Sequence, residues 1–378
     1  MATPYDLLLK GGTVVDPSQG LHSGADVAIK SGRVAAVAEG IPADQAARTI
    51  DVSGKMVTPG IIDLHCHFFW GVGNGVDADK DCLPRGTTTV VDGGSSGANS
   101  FQGFRRYVLE RIRTRAFALL NLSTTGMVDL RTSEFGCLTH ADVGAAVRTI
   151  EQHRDLIIGL KTRVSNYVVS NDPIPYMKLA REVADKAGTK IAIHIGDSGI
   201  PMSEIVPYLN EGDMVVHCYT GRRHGILDVK ERVLDAIVEA RKRGVLFDSS
   251  SGGNHFSFDV ARKAIDQGFL PDIISTDITV GTSKEADFHM PLMMTRHLAL
   301  GMPLDEVIKA STLIPALAID RVPKLGTLQE GAPADVTVLD LQKGSFSLKD
   351  TVGANMAVTK RFEPVLALRD GVVASEIV

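Results

Sequence analysis

The sequence predicts an α/β protein, a (β/α)8 TIM barrel with a small β-sandwich domain formed by both termini. Three observations favour this fold class. Eight short apolar runs recur along the middle of the chain, helical patterns lie between several of them, and strand-like segments of similar texture occupy both ends. Strands that alternate with helices over a segment of this length are typical of a closed parallel barrel.

The two ends of the chain predict the smaller domain. Residues 1–56 contain apolar runs broken by Gly-Gly, Ser-Gly-Arg and Ser-Gly turns, and residues 324–378 repeat this texture. Such alternation of apolar runs with turn residues indicates short β-strands. We expect the two segments to pair into one β-sandwich domain, with residues 57–323 inserted between them as the barrel.

The barrel is predicted from eight runs and the helices between them. In chain order the runs are VTPGIIDLHCH, TTTVVDGG, FALLNLST, LIIGLKTRV, KIAIHIGD, MVVHCYT, GVLFDSS and IISTDIT. Helical patterns over residues 176–188, 229–244 and 259–268 each end in glycine, which favours a helix C-cap. A doubly wound open sheet is the alternative, but no GxGxxG motif follows the first run, so we favour the barrel.

Composition argues against several classes of function. Lys and Arg number 40 against 45 Asp and Glu, a net charge of −5, and no basic tract indicates a nucleic-acid surface. No apolar run reaches the length of a membrane span, and the N-terminus does not resemble a signal peptide. The four cysteines show no paired spacing, which is consistent with reduced thiols. We expect a cytoplasmic homo-oligomer that acts on a small molecule.

Five of the predicted strands end in side chains that can bind a metal ion. These side chains are His65, His67, Lys161, His194, His217 and Asp277. His65 and His67 are two residues apart, so they point to the same face of a strand while Cys66 points away. Because the carboxyl ends of barrel strands form one face, all six side chains are predicted to converge there.

Lys161 is the unusual member of this group, because it lies in line with the buried run Ile157, Ile158 and Leu160. An unpaired ammonium is costly in a protein interior. A neutral amine beside metal ions can add carbon dioxide, and the resulting N6-carboxylysine would bridge two divalent ions about 3.5–4 Å apart. The alternatives are a plain salt bridge, or a strand that ends at Leu160 so that the amine reaches water.

These residues resemble the amidohydrolase superfamily, and in particular its dihydroorotase-like branch. The motifs DLHCH (63–67), GLKTR around Lys161 and GTLQEGAPADVTVLD (326–340) carry the resemblance together with the later histidines and Asp277. It implies that His65, His67 and Asp277 hold a more buried ion, and that His194 and His217 hold a more exposed one. Carbamylated Lys161 and a hydroxide would bridge the two ions. Zinc is the expected metal, with manganese, cobalt and iron left open.

The resemblance also implies hydrolysis of a carbonyl compound by the bridging hydroxide, with Asp277 as the proton carrier. We expect removal of an acetyl or acyl group from a small carboxylate-bearing substrate, such as an acetylated aromatic 2-hydroxy acid of the acetyl-mandelate type. A dihydroorotase-like cyclic amidase or an N-acyl-D-amino acid deacylase is the alternative. A non-catalytic barrel homologue is disfavoured because no ligand is missing. Glycoside hydrolysis is disfavoured because Asp277 is the one carboxylate predicted at a strand end.

Four further residues are predicted to contact the substrate. They are Arg163, Tyr219, Asn254 and His255. Arg163 lies two residues after Lys161, where its guanidinium suits a carboxylate, and Tyr219 stands in the same relation to His217. The other two belong to a glycine-rich loop. A structural salt bridge and an ordinary loop are the competing interpretations of Arg163 and of the loop.

The residues after the HxH pair also bear on the substrate. A dihydroorotase commonly carries an arginine there, whereas this chain has Phe68, Phe69 and Trp70. This departure favours an apolar or aromatic group near the metal ions over a cyclic ureide. Packing of the three rings within their own loop is the alternative.

Overall fold

The structure is a computed structural model that describes residues 3–129, 134–169, 172–285, 288–321 and 324–376. Its strands are β1 (Tyr5–Asp16), β2 (Leu21–Lys30), β3 (Arg33–Ala38), β4 (Ala46–Asp51), β5 (Met56–Pro59), β6 (Ile61–Cys66), β7 (Thr87–Asp92), β8 (Arg115–Asn121), β9 (Ile157–Arg163), β10 (Ile191–His194), β11 (Met214–Val216), β12 (Leu246–Asp248), β13 (Val336–Lys349), β14 (Asn355–Arg369) and β15 (Val372–Glu376).

The helices follow the same chain order. The α-helices are α1 (Ala78–Asp81), α2 (Phe101–Phe104), α3 (Val143–Gln152), α4 (Asn166–Val169), α5 (Ile174–Ala187), α6 (Met202–Ile205), α7 (Asp235–Lys242), α8 (Phe258–Asp266), α9 (Met290–Ala299), α10 (Leu304–Ser311) and α11 (Leu313–Ala318). Short 3-10 turns at Ala43–Gln45, Leu83–Arg85, Leu138–His140, Val206–Tyr208 and Thr282–Lys284, and a π-helical turn at Arg105–Leu109, accompany them.

Strands β6 to β12 form one parallel sheet in which each strand pairs with its neighbours in the chain. Seven of the eight predicted runs are therefore confirmed as strands. Alternate side chains of the sheet enter two different apolar clusters: Leu119 and Ala192 belong to one, whereas Ala118 and Ile193 belong to a larger one. Successive side chains along each strand thus point to opposite faces of the sheet, as they do in a TIM-like barrel that is surrounded by helices.

The eighth run forms an irregular segment rather than a regular strand, and this segment joins the two edges of the sheet. Ile273 bridges Asp248 at the end of β12. On the other side, the backbone N–H of Asp277 donates to the carbonyl of His65 at 2.6 Å, and the N–H of His67 donates to the carbonyl of Ile278 at 3.0 Å. Asp277 adopts a left-handed backbone with φ of 54°, which interrupts a strand.

The helix predictions are confirmed in two cases and shortened in the third. The pattern over 176–188 forms α5, which Gly188 terminates in a left-handed conformation, and the pattern over 259–268 forms α8. The pattern over 229–244 is helical only in α7, because Asp228 holds the preceding residues in a turn by accepting from two backbone N–H groups. No helix within the described ranges is both long and apolar enough to cross a bilayer.

Both termini contribute to a second sheet. Its strands lie in the order β15-β14-β13-β5-β1-β2-β3, with β4 paired to β1. Side chains from both ends of the chain, including Leu9, Val57 and Val338, share one buried apolar cluster. The two termini therefore pair through one continuous path of strands. The sandwich arrangement and the limits 1–56, 57–323 and 324–378 stay predictions, and residue 323 lies outside the described residues.

Candidate metal centre

The six predicted ligands meet at the carboxyl end of the parallel sheet. Five of them, His65, His67, Lys161, His194 and Asp277, line a cavity of about 350 Å³. The sixth, His217, follows β11 directly and is fully buried, with its Nε2 atom 2.9 Å from Nδ1 of His194. Side chains from five separate parts of the sheet thus come within contact distance.

The first half of the site contains a carboxylate, and we call His65, His67, Lys161 and Asp277 the carboxylate cluster. Asp277 Oδ1 lies 3.2 Å from Nε2 of His67 and 3.5 Å from Nε2 of His65. The Lys161 Nζ atom lies 3.1 Å from the same His65 nitrogen and is almost completely buried. Amine, imidazole and carboxylate therefore face one small volume.

Residues outside the predicted set orient the imidazoles of the carboxylate cluster. His67 Nδ1 lies 2.7 Å from the hydroxyl of Ser95, and His65 Nδ1 lies 3.1 Å from the hydroxyl of Ser250. A carboxylate oxygen of Asp248 lies 3.8 Å from the same His65 nitrogen. Partners of this kind set the ring orientation and turn the opposite nitrogen of each ring towards a ligand.

The second half of the site consists of imidazoles, and we call His194, His217 and His255 the imidazole cluster. One nitrogen from each residue lies within 4.8 Å of the others. His217 Nδ1 is 2.9 Å from both the carbonyl oxygen and the hydroxyl of Ser250. Asp277 Oδ2 lies 3.8 Å from Nε2 of His217, so this carboxylate stands between the two clusters.

Burial governs the charge state of these groups. It lowers the pKa of His65, His194 and His217 well below the usual range, with nearby cationic groups adding to the effect. It also lowers the pKa of Lys161 to about 8. For Asp277, burial favours the neutral acid, but the surrounding imidazoles outweigh it and lower the pKa. Neutral imidazoles beside an ionised carboxylate are the forms that bind a divalent metal ion.

The backbone approaches the clusters closely at two glycines. A Cβ atom at Gly93 would lie 2.1 Å from Cδ2 of His65, and one at Gly252 would lie 2.3 Å from Oδ2 of Asp277. Gly252 also has a φ of +52°. His217 and Asp277 themselves adopt left-handed backbones, with φ of 68° and 54°. Strained positions of this kind concentrate at functional sites.

The donor set fits divalent metal ions. Two groups of three donors, one of them His65, His217 and Asp277 and the other the imidazole cluster, each bring their ligand atoms within 4.8 Å. Nε2 of His194 and Nδ1 of His255 are buried and have no hydrogen-bond partner among the described residues. Nitrogen and oxygen donors of these types suit zinc and related first-row metals.

Three of the four predicted substrate contacts line the cavity, namely Arg163, Asn254 and His255. The prediction for Tyr219 is corrected. Its ring is fully buried, and its hydroxyl donates to the backbone carbonyl of Phe269 at 2.7 Å, away from the cavity. The alternation argument failed there because His217 has a left-handed backbone, which ends the strand geometry before residue 219.

The aromatic residues after His67 do not form the expected apolar wall. Phe68 is fully buried and packs against Phe104, and Phe69 stacks on the same ring with centroids 4.5 Å apart. Ring packing, the alternative interpretation, therefore holds for Phe68 and Phe69, whereas Trp70 is 53% exposed and does not line the cavity. The aromatic side chain that does line the cavity is Tyr167, which is 55% exposed and which the sequence patterns did not single out.

A buried carboxylate beside Arg163 was also missed. Glu134 Oε1 lies 2.8 Å from Nε of Arg163, and its other oxygen accepts from the side-chain amide of Asn121. No local signal marks Glu134, because it belongs to a loop and pairs with β9 only in the folded chain. Its ion pair anchors the guanidinium at the cavity wall.

The expectation that Asp277 is the one strand-end carboxylate is wrong. Asp92 ends β7 and Asp248 ends β12, and both are fully buried. Asp92 accepts from backbone N–H groups of the following loop, and Asp248 accepts from the hydroxyl of Ser275. Neither lines the cavity, so both act as internal acceptors. Both aspartates were visible at the ends of apolar runs in the sequence, in VVDGG and LFDSS.

A TIM-like barrel with this donor set at its carboxyl end defines a class of hydrolases, and the chain belongs to it. The amidohydrolase family model matches residues 56–374. The protein is therefore an enzyme of the amidohydrolase superfamily, in its dihydroorotase-like branch.

Individual relatives agree with this assignment. A deacetylase of Agrobacterium fabrum is 31% identical over 350 residues, which cover 92% of this chain and 86% of the relative. The crystal structure of an adenine deaminase superposes with a TM-score of 0.89 at 28% identity, covering 98% of this chain and 99% of that one. The crystal structure of a dihydroorotase gives 0.87 at 29% identity and covers 98% of both chains.

Proposed function

We propose that the protein is a binuclear metal-dependent deacetylase that removes an acetyl or other acyl group from a small carboxylate-bearing substrate. The observation that carries the proposal is the meeting of the carboxylate and imidazole clusters at Asp277, inside one cavity. The name of the Agrobacterium relative supports the deacetylase assignment. An acetylated aromatic 2-hydroxy acid of the acetyl-mandelate type is the proposed substrate class.

The proposed metal ligands follow from the two clusters. His65, His67 and Asp277 would hold one ion, His194 and His217 the other, and Lys161 would carry the N6-carboxyl group that contacts both. Zinc is the proposed metal because the donors are imidazoles and carboxylates. When bound, such ions polarise a carbonyl group and lower the pKa of water.

Asp277 is the proposed proton carrier. Its two oxygens face different clusters, and it borders the cavity directly. A carboxylate at this position can accept a proton from water and release it to the leaving oxygen or nitrogen of the substrate. Its oxygens lie within 3.8 Å of Nε2 of His65, His67 and His217, so Asp277 adjoins proposed ligands of both ions.

The residues of the cavity wall favour a substrate that carries both a carboxylate and an aromatic group. Arg163 borders the cavity, and its guanidinium carbon lies 5.4 Å from the centroid of the exposed Tyr167 ring. A carboxylate could bind the guanidinium while an aryl group stacks on the tyrosine. The volume of about 350 Å³ lies at the small end of ligand cavities, which suits a compact acid.

A dihydroorotase-like cyclic amidase is the second candidate, favoured by the likeness to a dihydroorotase structure. An N-acyl-D-amino acid deacylase would use the same donor set on an amide. A cytoplasmic location and a homo-oligomeric state stay predictions from the sequence.

A substrate panel tests the function. Zinc-loaded protein is assayed with both hands of O-acetyl-mandelate, its methyl ester, N-acetyl amino acids of both hands and dihydroorotate. We expect the highest kcat/KM for an acetylated carboxylate. A preference for dihydroorotate would replace the deacetylase assignment with the second candidate.

The variant Arg163→Met sharpens the same panel. Loss of a charge-assisted contact of about 1.5–3 kcal/mol lowers kcat/KM for the free acid roughly 10–100-fold, while the methyl ester should be affected far less. The double variant with Glu134→Gln is the control, because it removes both members of the buried ion pair. Equal losses on acid and ester would contradict carboxylate recognition by Arg163.

A further inference from the structure

We propose that His255 is a third histidine ligand of the ion held by His194 and His217. The proposal rests on the metal centre of the proposed function. It extends the ligand set that the family resemblance implies, and it gives His255 a role in metal binding rather than the substrate contact expected from the sequence.

The geometry places the His255 ring against both proposed ligands. Its centroid lies 4.2 Å from that of His217, with the rings nearly parallel, and 4.6 Å from that of His194, with the rings nearly perpendicular. The backbone N–H of His255 donates to the carbonyl of Ser251, which holds the loop after β12 in place. Three ligand nitrogens therefore share one space without any further movement of the chain.

Unpartnered nitrogens point to a ligand at this position. His255 is only 6% exposed and His194 only 5%, yet Nδ1 of the first and Nε2 of the second have no hydrogen-bond partner among the described residues. A buried polar atom without a partner costs free energy, so native proteins rarely keep one without a reason. A cation between Nδ1 of His194 and Nε2 of His217, which lie 2.9 Å apart, would also be close to a nitrogen of His255.

Substrate binding alone does not explain the arrangement. A substrate contact through Nε2 of His255 would still leave its buried Nδ1 without a partner among the described residues. In addition, one face of the His255 ring is covered by His217. Three neutral histidines with an open position are a known ligand set for a catalytic metal ion.

The test measures metal binding independently of turnover. Wild-type protein, His255→Phe and His255→Asp are stripped with a chelator, checked for folding by circular dichroism, and titrated with Zn²⁺ alone and with Co²⁺ alone. The phenylalanine keeps the stacked ring but removes the nitrogen, whereas the aspartate restores a donor. His153→Phe is the matched control, because His153 also packs on an aromatic ring, that of Phe101, but lies outside the cavity.

We expect wild-type protein and His153→Phe to bind two ions. His255→Phe should bind the first ion normally and the second about 100-fold more weakly, since loss of even an orienting partner costs 10–100-fold in affinity. The visible absorption spectrum of Co²⁺ bound to His255→Phe should differ from that of Co²⁺ bound to the wild type. His255→Asp should retain the second ion. If His255→Phe binds two ions with wild-type affinity, or if the wild type binds only one, His255 is not a ligand.

The outcomes separate this inference from the proposed function. Protein that binds two ions in a manner that depends on His255, but deacetylates nothing in the panel, would contradict the deacetylase assignment and leave the ligand assignment intact. If the protein deacetylates a compound of the panel and His255→Phe binds metal as the wild type does, the ligand assignment is contradicted and the deacetylase assignment is kept.

Discussion

The two halves of the candidate metal centre differ in charge and in how many of their imidazole nitrogens have a hydrogen-bond partner within the protein. In the carboxylate cluster, both imidazoles have hydroxyl partners and their remaining nitrogens face Asp277. In the imidazole cluster, nitrogens of His194 and His255 have no partner among the described residues. Opposite charge attracts a cation most strongly where a carboxylate is buried. We therefore expect the carboxylate cluster to bind its ion first and more tightly.

The largest effect should come from the residue that joins the two halves. Asp277→Asn should lower kcat about 10²–10⁴-fold, because an amide cannot accept a proton. Binding of the ion in the carboxylate cluster should weaken, but most of the metal should remain at saturating Zn²⁺, since the histidines stay in place. Steady-state kinetics together with elemental analysis of the protein check both parts.

Asp248→Asn serves as the comparison for this variant. Asp248 is fully buried at the end of β12 and acts on the site through His65, so we expect a loss of about 10-fold. Retained turnover in Asp277→Asn would remove its role as proton carrier.

An intermediate effect should come from Lys161→Met. Methionine fills similar space without a buried amine, so the metal-free variant should be about as stable as the metal-free wild type. In the wild type, an ion at 100 times its Kd adds about 2.7 kcal/mol to the free energy of unfolding. The drop in Tm on adding a chelator should therefore be several degrees in the wild type and clearly smaller in the variant.

Lys190→Met controls for the loss of a lysine, because Lys190 pairs with Asp320 at the surface. It should keep the full response to chelator. An equal response in Lys161→Met would mean that Lys161 does not take part in metal binding.

The smallest effects should distinguish the two halves. Ser95 contacts only His67 in the site, whereas Ser250 contacts both His65 and His217. Ser95→Ala should lower the affinity for one of the two ions about 10-fold, and Ser250→Ala should lower the affinity for both ions. Titration of the stripped variants with Zn²⁺ measures this. Identical behaviour of the two variants would contradict the division into two clusters.

The sequence predicted the parts of the fold that depend on local pattern. Apolar runs bounded by turn residues marked seven strands of the parallel sheet, and α5 with its terminal Gly188 followed the helical pattern. Prediction was weaker where tertiary contacts replace local ones. The eighth segment closes the sheet through backbone hydrogen bonds with His65 and His67 rather than as a regular strand. The turn at Asp228 shortened α7 in the same way.

In the site, the sequence was enough to predict which donors stand at the ends of successive strands, because strand order and chain direction bring those ends to one face. The side chains that accompany these donors became visible only in the folded chain. Glu134, Ser95 and Ser250 come from loops whose positions depend on the packing of the whole molecule. The left-handed backbone at His217 likewise turned Tyr219 away. Regular elements repeat a short-range geometry that a pattern can carry, whereas loop contacts join residues that no local pattern relates.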